Sequence, residues 1–284
     1  MRIALVQQHA TPDRNDNLRR AVAALHAAAD AGARLAVLPE LALTPFYPAR
    51  PADGPPPVHL AEPIPGPTTE ALAKVARERG LVVVANLYER DGDRAFDSSP
   101  VIDADGTLLG VTRMLHIAEM PHFHEQGYYA PGDRGMPVYA TAAGRVGVAI
   151  CYDRHYPEVM RALALAGADI VVTPQAGAVG EWPEGLFEAE MRVAAFQNGY
   201  FTALANRVGR EGEVEFAGES FVCDPAGRVV ARAPAGRDWL LLADLDLSLL
   251  ARCHARRLFL RDRREDVLPL LLGPASRGGR TGRE

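Results

Sequence analysis

A cysteine closes the apolar run Gly144-Arg-Val-Gly-Val-Ala-Ile-Cys151, and three polar residues, Asp153, Arg154 and His155, follow almost at once. Val146, Val148 and Ile150 predict a buried strand, and Met160 to Ala166 followed by Gly167 predicts a helix with a glycine cap. Cys151 therefore stands where a strand hands over to a helix. At such a place backbone N–H groups and the helix dipole favour a thiolate and can cradle a developing oxyanion. A lone cysteine is more commonly a buried structural residue, but the polar cluster directly after this one argues against that. Leu35-Ala-Val-Leu-Pro-Glu40 sets a carboxylate in the same kind of position. Open α/β sheets assemble their sites at such carboxyl ends, so Cys151 and Glu40 fit as nucleophile and base.

The elements that must position them follow from the pattern of the chain. Ile3–Val6 reads as a strand, Leu18–Ala29 as a helix with Leu18, Val22 and Leu25 on one face, and Leu35–Leu38 as the next strand. Thr68 or Thr69 is expected to cap a helix containing Leu72, Val75 and Ala76, with Leu81–Leu87 as the strand after it. Pro45 to Pro67 reads as a long surface loop, more readily a connection than a lid. Asp103–Gly106 and Asp224–Gly227 are turns of expected hairpins. Ile170–Thr173, Phe201–Asn206, Phe221–Cys223 and Leu240–Ala243 are further strand candidates, and Trp182–Asn198 and Leu247–Phe259 read as helices. The result is an α/β chain with one domain over residues 1–276 and a Gly/Arg/Ser-rich, disordered tail over 277–284.

Composition narrows the classes of function. The 284 residues are 48% hydrophobic with a net charge of −5, so a large core is available and nucleic acid and anionic membrane are not expected partners. Three cysteines without CxxC spacing indicate neither a disulfide framework nor a zinc knuckle, which suits a reducing cytoplasm. The N-terminus reads as a strand rather than a signal sequence, and no apolar run is long enough to span a bilayer. Lys74 is the only lysine.

Taken together, Leu38-Pro-Glu40, Arg113 to Ile117, Glu125 with Tyr128-Tyr129, Pro131-Gly-Asp133, Ile150-Cys-Tyr-Asp153 with Pro157-Glu158, Ala205-Asn-Arg-Val-Gly209, Phe216-Ala-Gly-Glu-Ser220 and Asp262-Arg-Arg264 resemble the nitrilase superfamily of carbon–nitrogen hydrolases. The resemblance runs from Leu38 almost to the C-terminus. It implies a four-layer α-β-β-α sandwich, no cofactor, a small-molecule substrate and a homodimer or larger homo-oligomer. It implies Cys151 as nucleophile, Glu40 as general base, Glu125 as a second glutamate that positions the catalytic groups, and the Tyr152 N–H as an oxyanion donor.

One position departs from the pattern. The family's catalytic lysine belongs in the segment that here reads Arg113-Met-Leu-His-Ile117, and Met114 takes its place. A thioether supplies no charge, and loss of even a neutral oxyanion donor lowers turnover about 10²–10³-fold. Lys74 lies in the expected Thr69–Arg79 helix, and strand alternation turns Arg113 away, leaving His116 on the same face for partial compensation.

The motif Cys-Tyr-Asp-Arg154-His155 looks more like the N-carbamoyl amino acid hydrolases, including β-ureidopropionase, than the putrescine-type carbamoyl amidases. On that reading Arg154 stands at the pocket mouth and grips a substrate carboxylate, with His116 and His155 beside the substrate. The alternative for Arg154 is an ion pair with Asp153 or Glu158. His116, His122, His124 and Glu125 include ordinary metal ligands, but an HxH in a Pro-bearing loop is a weak signal, and no metal is expected. Trp182, Phe187, Phe196 and Phe201 read as core or interface aromatics. Two classes of function remain: a cysteine-dependent amidohydrolase, and a pseudoenzyme that keeps the pocket to bind a ligand.

Overall fold

The computed structural model describes residues 1–267; the expected tail at 277–284 lies outside them. In chain order the strands and helices of the first half are β1 (Arg2–Gln7), α1 (Arg14–Asp30), β2 (Leu35–Val37), α2 (Pro67–Arg79), β3 (Val82–Val84), β4 (Leu87–Asp91), β5 (Arg94–Ile102) and β6 (Leu108–Arg113). Two-residue β7 (Glu119–Met120) and β8 (Phe123–His124) lead to β9 (Val138–Thr141), β10 (Gly144–Val148), α3 (Pro157–Leu165), β11 (Ile170–Gln175), α4 (Leu186–Asn198) and β12 (Phe201–Asn206). The chain continues through β13 (Val208–Glu211), β14 (Val214–Ala217), β15 (Phe221–Cys223), β16 (Val229–Arg232), β17 (Trp239–Asp244) and α5 (Ser248–Arg252).

Two sheets result. One has the order β17-β1-β2-β3-β5-β4, with β6 paired to β5, and the other has the order β16-β15-β12-β11-β10-β9. At the centre of each, β1-β2-β3 and β10-β11-β12 run parallel, and their strands are apolar almost throughout because both faces are covered. Ile3, Leu5, Leu35 and Val37 face Val146, Val148, Ile170 and Val172 in a core between the sheets. Alternate residues Ala4, Val6, Ala36 and Leu38 pack under α1 and α2, and Val171 and Leu204 pack under α3 and α4. This is the four-layer α-β-β-α sandwich. Among the described residues no helix is long and apolar enough to cross a membrane.

Local chemistry explains where the elements depart from expectation. Thr69 does not cap α2; Gly66 does, with Pro67 as the first helical residue, while the Thr69 hydroxyl accepts from the Gly66 N–H at 2.7 Å. A Cβ at Gly66 would lie 2.3 Å from the Pro63 carbonyl oxygen. The strand expected over Leu81–Leu87 breaks after Val84, because Asn86 turns inward to serve the site described below. The helix expected from Trp182 starts only at Leu186, after a left-handed Gly185 at φ +83°. That expected over Leu247–Phe259 is interrupted by extended Cys253 and resumes as a π-turn. The loop from Pro45 is also more than a connection: Phe46 wedges edge-on between Phe123 and Phe216, each 5.5 Å away.

Candidate active site

Both parallel strand sets end on the same side of the core. Backbone pairing persists one step beyond β10, with the Ala149 N–H donating to the Val172 carbonyl at 3.0 Å, and the chain then leaves the sheet at Cys151. Cys151 has φ +39°, a left-handed conformation that a non-glycine residue adopts at a penalty of about 1–3 kcal/mol. It opens a 3₁₀ turn over Cys151–His155, whose first internal bond runs from the Asp153 N–H to the Ile150 carbonyl at 2.8 Å. The Tyr152 N–H precedes that bond, as the first donors of a helical turn do. The Tyr152 ring itself stacks edge-on with His155 and Tyr156.

A second strained corner holds Glu40. Leu41 has φ +44°, and its N–H donates to the Asn86 side-chain oxygen at 2.8 Å. The fully buried Arg207 donates to the Glu40 carbonyl at 3.1 Å and to the Thr44 carbonyl at 3.1 Å, and it also binds the Leu41 carbonyl and Glu211. The Glu40 side chain is thereby driven inward with no exposure.

Four ionisable groups meet in this space. Glu40, Glu125 and Asp97 are fully buried and Cys151 nearly so, and each carboxyl raises the pKa of at least one of the others. Burial, then the charge of Glu125, lifts Glu40 from its usual value to about 7, although interactions with Asp97 and Cys151 pull it down. Burial and the charge of Glu40 push Asp97 well above the carboxylate range, and burial and Asp97 do the same to Glu125. The Cys151 thiol is pushed up by burial, then by Glu40 and Glu125. Glu125 accepts one bond, from the Ala118 N–H at 3.1 Å. Among the described residues, both Glu40 oxygens, Asp97 Oδ2, Glu125 Oε1 and the Tyr129 hydroxyl have no partner at normal hydrogen-bond geometry.

Met114 lies against this cluster, fully buried in the same core as Cys151 and Tyr129, with its N–H donating to the Asp97 carbonyl at 2.9 Å. Arg113 points the other way, as alternation requires, into Glu89, Asp91 and Asp133. Lys74 is on the outer face of α2, 76% exposed, beside Glu78. His116 does not take the lysine's place. Strand β6 ends at Arg113, so alternation no longer governs residue 116; its imidazole binds Asp153 at 2.7 Å and stacks on Tyr156 at 3.4 Å. Asp153 also accepts the Leu115 and His116 N–H groups at 3.0 Å each, clamping the Met114 segment to the cysteine turn.

Arg154 is 4% exposed, lines a cavity of about 450 Å³ with His155 and Glu190, and donates to the Cys151 carbonyl at 3.0 Å and to Gln175 at 2.8 Å. Its ion pair is with Glu190 of α4 at 3.2 Å, not with Asp153 or Glu158, and its plane covers the Phe187 ring. His155 pairs with the same Glu190 at 2.6 Å and stands edge-on to Trp182, away from the carboxyl cluster. The remaining histidines are spread over separate partners, His124 on Glu119 and His122 near Glu213. Phe196, expected in a core or interface, is partly exposed, whereas Phe201 is buried.

A cavity of about 420 Å³, lined by none of Glu40, Asp97, Glu125 and Cys151 but neighbouring them through Glu181, lies between the His122–Phe123 loop, Ala178–Glu181 and Glu213–Glu215. Glu181 lines it and is close enough for its charge to be felt at Cys151 and Glu125. Among the described residues, the carboxylates that line this cavity are Glu181, Glu213 and Glu215, and no arginine lines it.

Sequence reading missed Asp97, Asn86 and Glu181. The available signal for Asp97 was an acid at the middle of an otherwise uncharged run, Ala95-Phe-Asp-Ser-Ser-Pro-Val101, since a charge inside a covered strand needs a reason.

The carbon–nitrogen hydrolase family model matches residues 2–255. An N-carbamoylputrescine amidase of Solanum lycopersicum is 33% identical over 95% of this chain and 94% of its own. A β-ureidopropionase of Arabidopsis thaliana is 35% identical over 67% of this chain and 51% of its own. The crystal structure of a carbon–nitrogen hydrolase from Helicobacter pylori G27 superposes with a TM-score of 0.87 at 29% identity, covering 95% of this chain and 98% of that one. With the sandwich and the sequence agreeing over this span, the chain belongs to the carbon–nitrogen hydrolases of the nitrilase superfamily and is an amidohydrolase of that group.

Proposed function

We propose that the protein cleaves the C–N bond of a small N-carbamoyl compound or amide by cysteine catalysis. The observation that carries this reading is the burial of the Cys151 thiol at a strained corner within reach of the Glu40 carboxyl. Glu40, lifted to about 7, is a base poised near neutral pH. It takes the thiol proton as sulfur attacks the carbonyl carbon, passes it to the leaving nitrogen, and then activates water against the thioester-type intermediate. The charge of Glu125 raises Glu40 and its interaction with Asp97 lowers it, and the balance holds it in this range. The Tyr152 N–H faces the developing oxyanion. Arg154 acts as a positioning residue, fixing the Cys151 carbonyl and therefore the corner.

The acidic approach favours a substrate whose tail is neutral or cationic over the carboxylate-bearing one expected from the Cys-Tyr-Asp-Arg-His motif. Met114 supports a second reading, a catalytically impaired protein that binds a small ligand. Exposed Leu165, Val193, Phe196 and Phe259 fit the homodimer or larger homo-oligomer that belongs to this proposal. Ammonia release from a panel of N-carbamoyl amines, N-carbamoyl amino acids, amides and nitriles tests it, with Cys151→Ala as the control. Turnover that survives Cys151→Ala refutes the mechanism, and binding without turnover selects the second reading.

A further inference from the structure

We infer that the Cys151 site also hydrolyses the cationic isostere of a carbamoyl group, a guanidinium or amidinium. The inference rests on the assignment of Cys151 as nucleophile and extends it to a different charge class of substrate.

Four carboxyl oxygens point into the cluster without a donor: both of Glu40, Oδ2 of Asp97 and Oε1 of Glu125, all on side chains with no solvent exposure. Buried acceptors of this kind call for donors. Among the described residues, the two cations whose charge reaches the cluster hold most of their bonds elsewhere. Arg207 binds the Glu40, Leu41 and Thr44 carbonyls and Glu211, and Arg154 binds the Cys151 carbonyl and Gln175 and pairs with Glu190, while Arg154 Nε and Nη2 and Arg207 Nε make no hydrogen bond. A guanidinium is planar, carries its charge over all its nitrogens and presents a fan of N–H donors. It has the size and shape of a ureido group with nitrogen in place of oxygen, so a site shaped for one admits the other.

Charge explains Met114. Attack of a thiolate on a neutral carbonyl creates an oxyanion, which a lysine stabilises. Attack on a guanidinium discharges a cation and leaves a neutral tetrahedral carbon. Lysine at residue 114 would then repel the substrate, whereas methionine does not. The thiol, held up by burial and by Glu40 and Glu125 and lowered only in part by the charge of Arg154, acquires a second positive neighbour from the bound substrate. The glutamates at the approach draw the same charge inward.

The chemistry is hydrolytic and balances without a redox partner. Glu40 takes the thiol proton as the S–C bond forms and the C=N pair moves to nitrogen. The proton passes to the leaving nitrogen, the C–N bond breaks and ammonia departs, leaving a cationic isothiouronium on sulfur. Water gives a proton to Glu40 and attacks the same carbon. The C–S bond then breaks with its pair on sulfur, the hydroxyl proton is lost and the thiol is reprotonated. A guanidinium plus water yields a urea plus ammonium.

The test compares butylguanidine with butylurea by ammonia release from the full chain. The expected result is a kcat/KM ratio favouring butylguanidine by about tenfold or more, the value of one charge-assisted hydrogen bond. Asp97→Asn should lower that ratio by a similar factor, and Met114→Lys should invert it. Calorimetry on Cys151→Ala should show butylguanidine binding with proton release, as raised carboxyls ionise around the cation. Turnover of butylurea alone, with a ratio unmoved by either variant, overturns this inference and leaves the hydrolase reading standing. Turnover of neither compound, nor of any member of the carbamoyl and amide panel, overturns both.

Discussion

Replacing Met114 by lysine should change how stability depends on pH before it changes anything else. In the folded protein Glu40 sits at about 7 against an ordinary carboxylate value of 4.5. Its folded pKa is raised, so between those values the native state binds more protons than the unfolded chain, and stability falls as pH rises. It is fully present below about 4.5 and lost through about 7. A difference of that size corresponds to about 3 kcal/mol, and Asp97 and Glu125, also raised, act in the same direction. For a chain of this length that is roughly a 5 °C fall in melting temperature between pH 5 and pH 8.5. A lysine ammonium beside the buried carboxyls supplies Coulomb attraction of about 4 kcal/mol at 4 Å in an effective dielectric near 20, comparable with what ionisation removes. Met114→Lys should therefore flatten the profile to less than half the wild-type slope, because the swap joins unbranched side chains of similar length. Urea titrations and thermal melts at half-unit pH steps read this directly. A flat wild-type profile, or parallel profiles for the two proteins, would refute the view that an unpaired carboxyl cluster occupies the site.

Other substitutions separate the roles in the site. Cys151→Ala should abolish ammonia release while leaving the melting temperature within a few degrees, since the side chain lost is small and the corner keeps its backbone bonds; residual turnover measured with a coupled ammonia assay would remove sulfur from the mechanism. Arg154→Ala should lower kcat for carbamoyl amines and carbamoyl amino acids alike, because its bonds go to the Cys151 carbonyl, Gln175 and Glu190. A rise in KM confined to carboxylate substrates would instead restore it as a substrate grip. Asn86→Ala strands the Leu41 N–H and one Asp97 oxygen, which it contacts at 2.8 and 2.5 Å, and should destabilise by about 2–4 kcal/mol in urea unfolding.

Sequence made the positions of the candidate nucleophile and base, and the layered fold, legible for one physical reason: both residues follow parallel strands whose burial on both faces leaves an unmistakable apolar run. Glu40 and Cys151 follow such runs directly. The helix ends were less legible, because Gly66, Gly185 and extended Cys253 act through backbone geometry that residue type signals only weakly. The ion pair of Arg154 was not legible because its partner, Glu190, is 36 positions away on α4, and a motif shows only neighbours along the chain.

Met114 and Asp97 are the positions where local reading fails most instructively, and the two belong together. A missing lysine looks like a loss when only its own segment is read. In the fold, the Met114 N–H donates to the Asp97 carbonyl, and the carboxyl of Asp97 faces Glu40. An enzyme that had merely lost its cation would gain from losing surplus buried anions as well, since each unpaired carboxyl raises the energy of the folded state. Here the cation is absent and three carboxyls with free oxygens remain packed around an intact thiol. Decay of catalysis gives no reason to keep that arrangement, whereas the positively charged substrate proposed above would draw on those oxygens as acceptors.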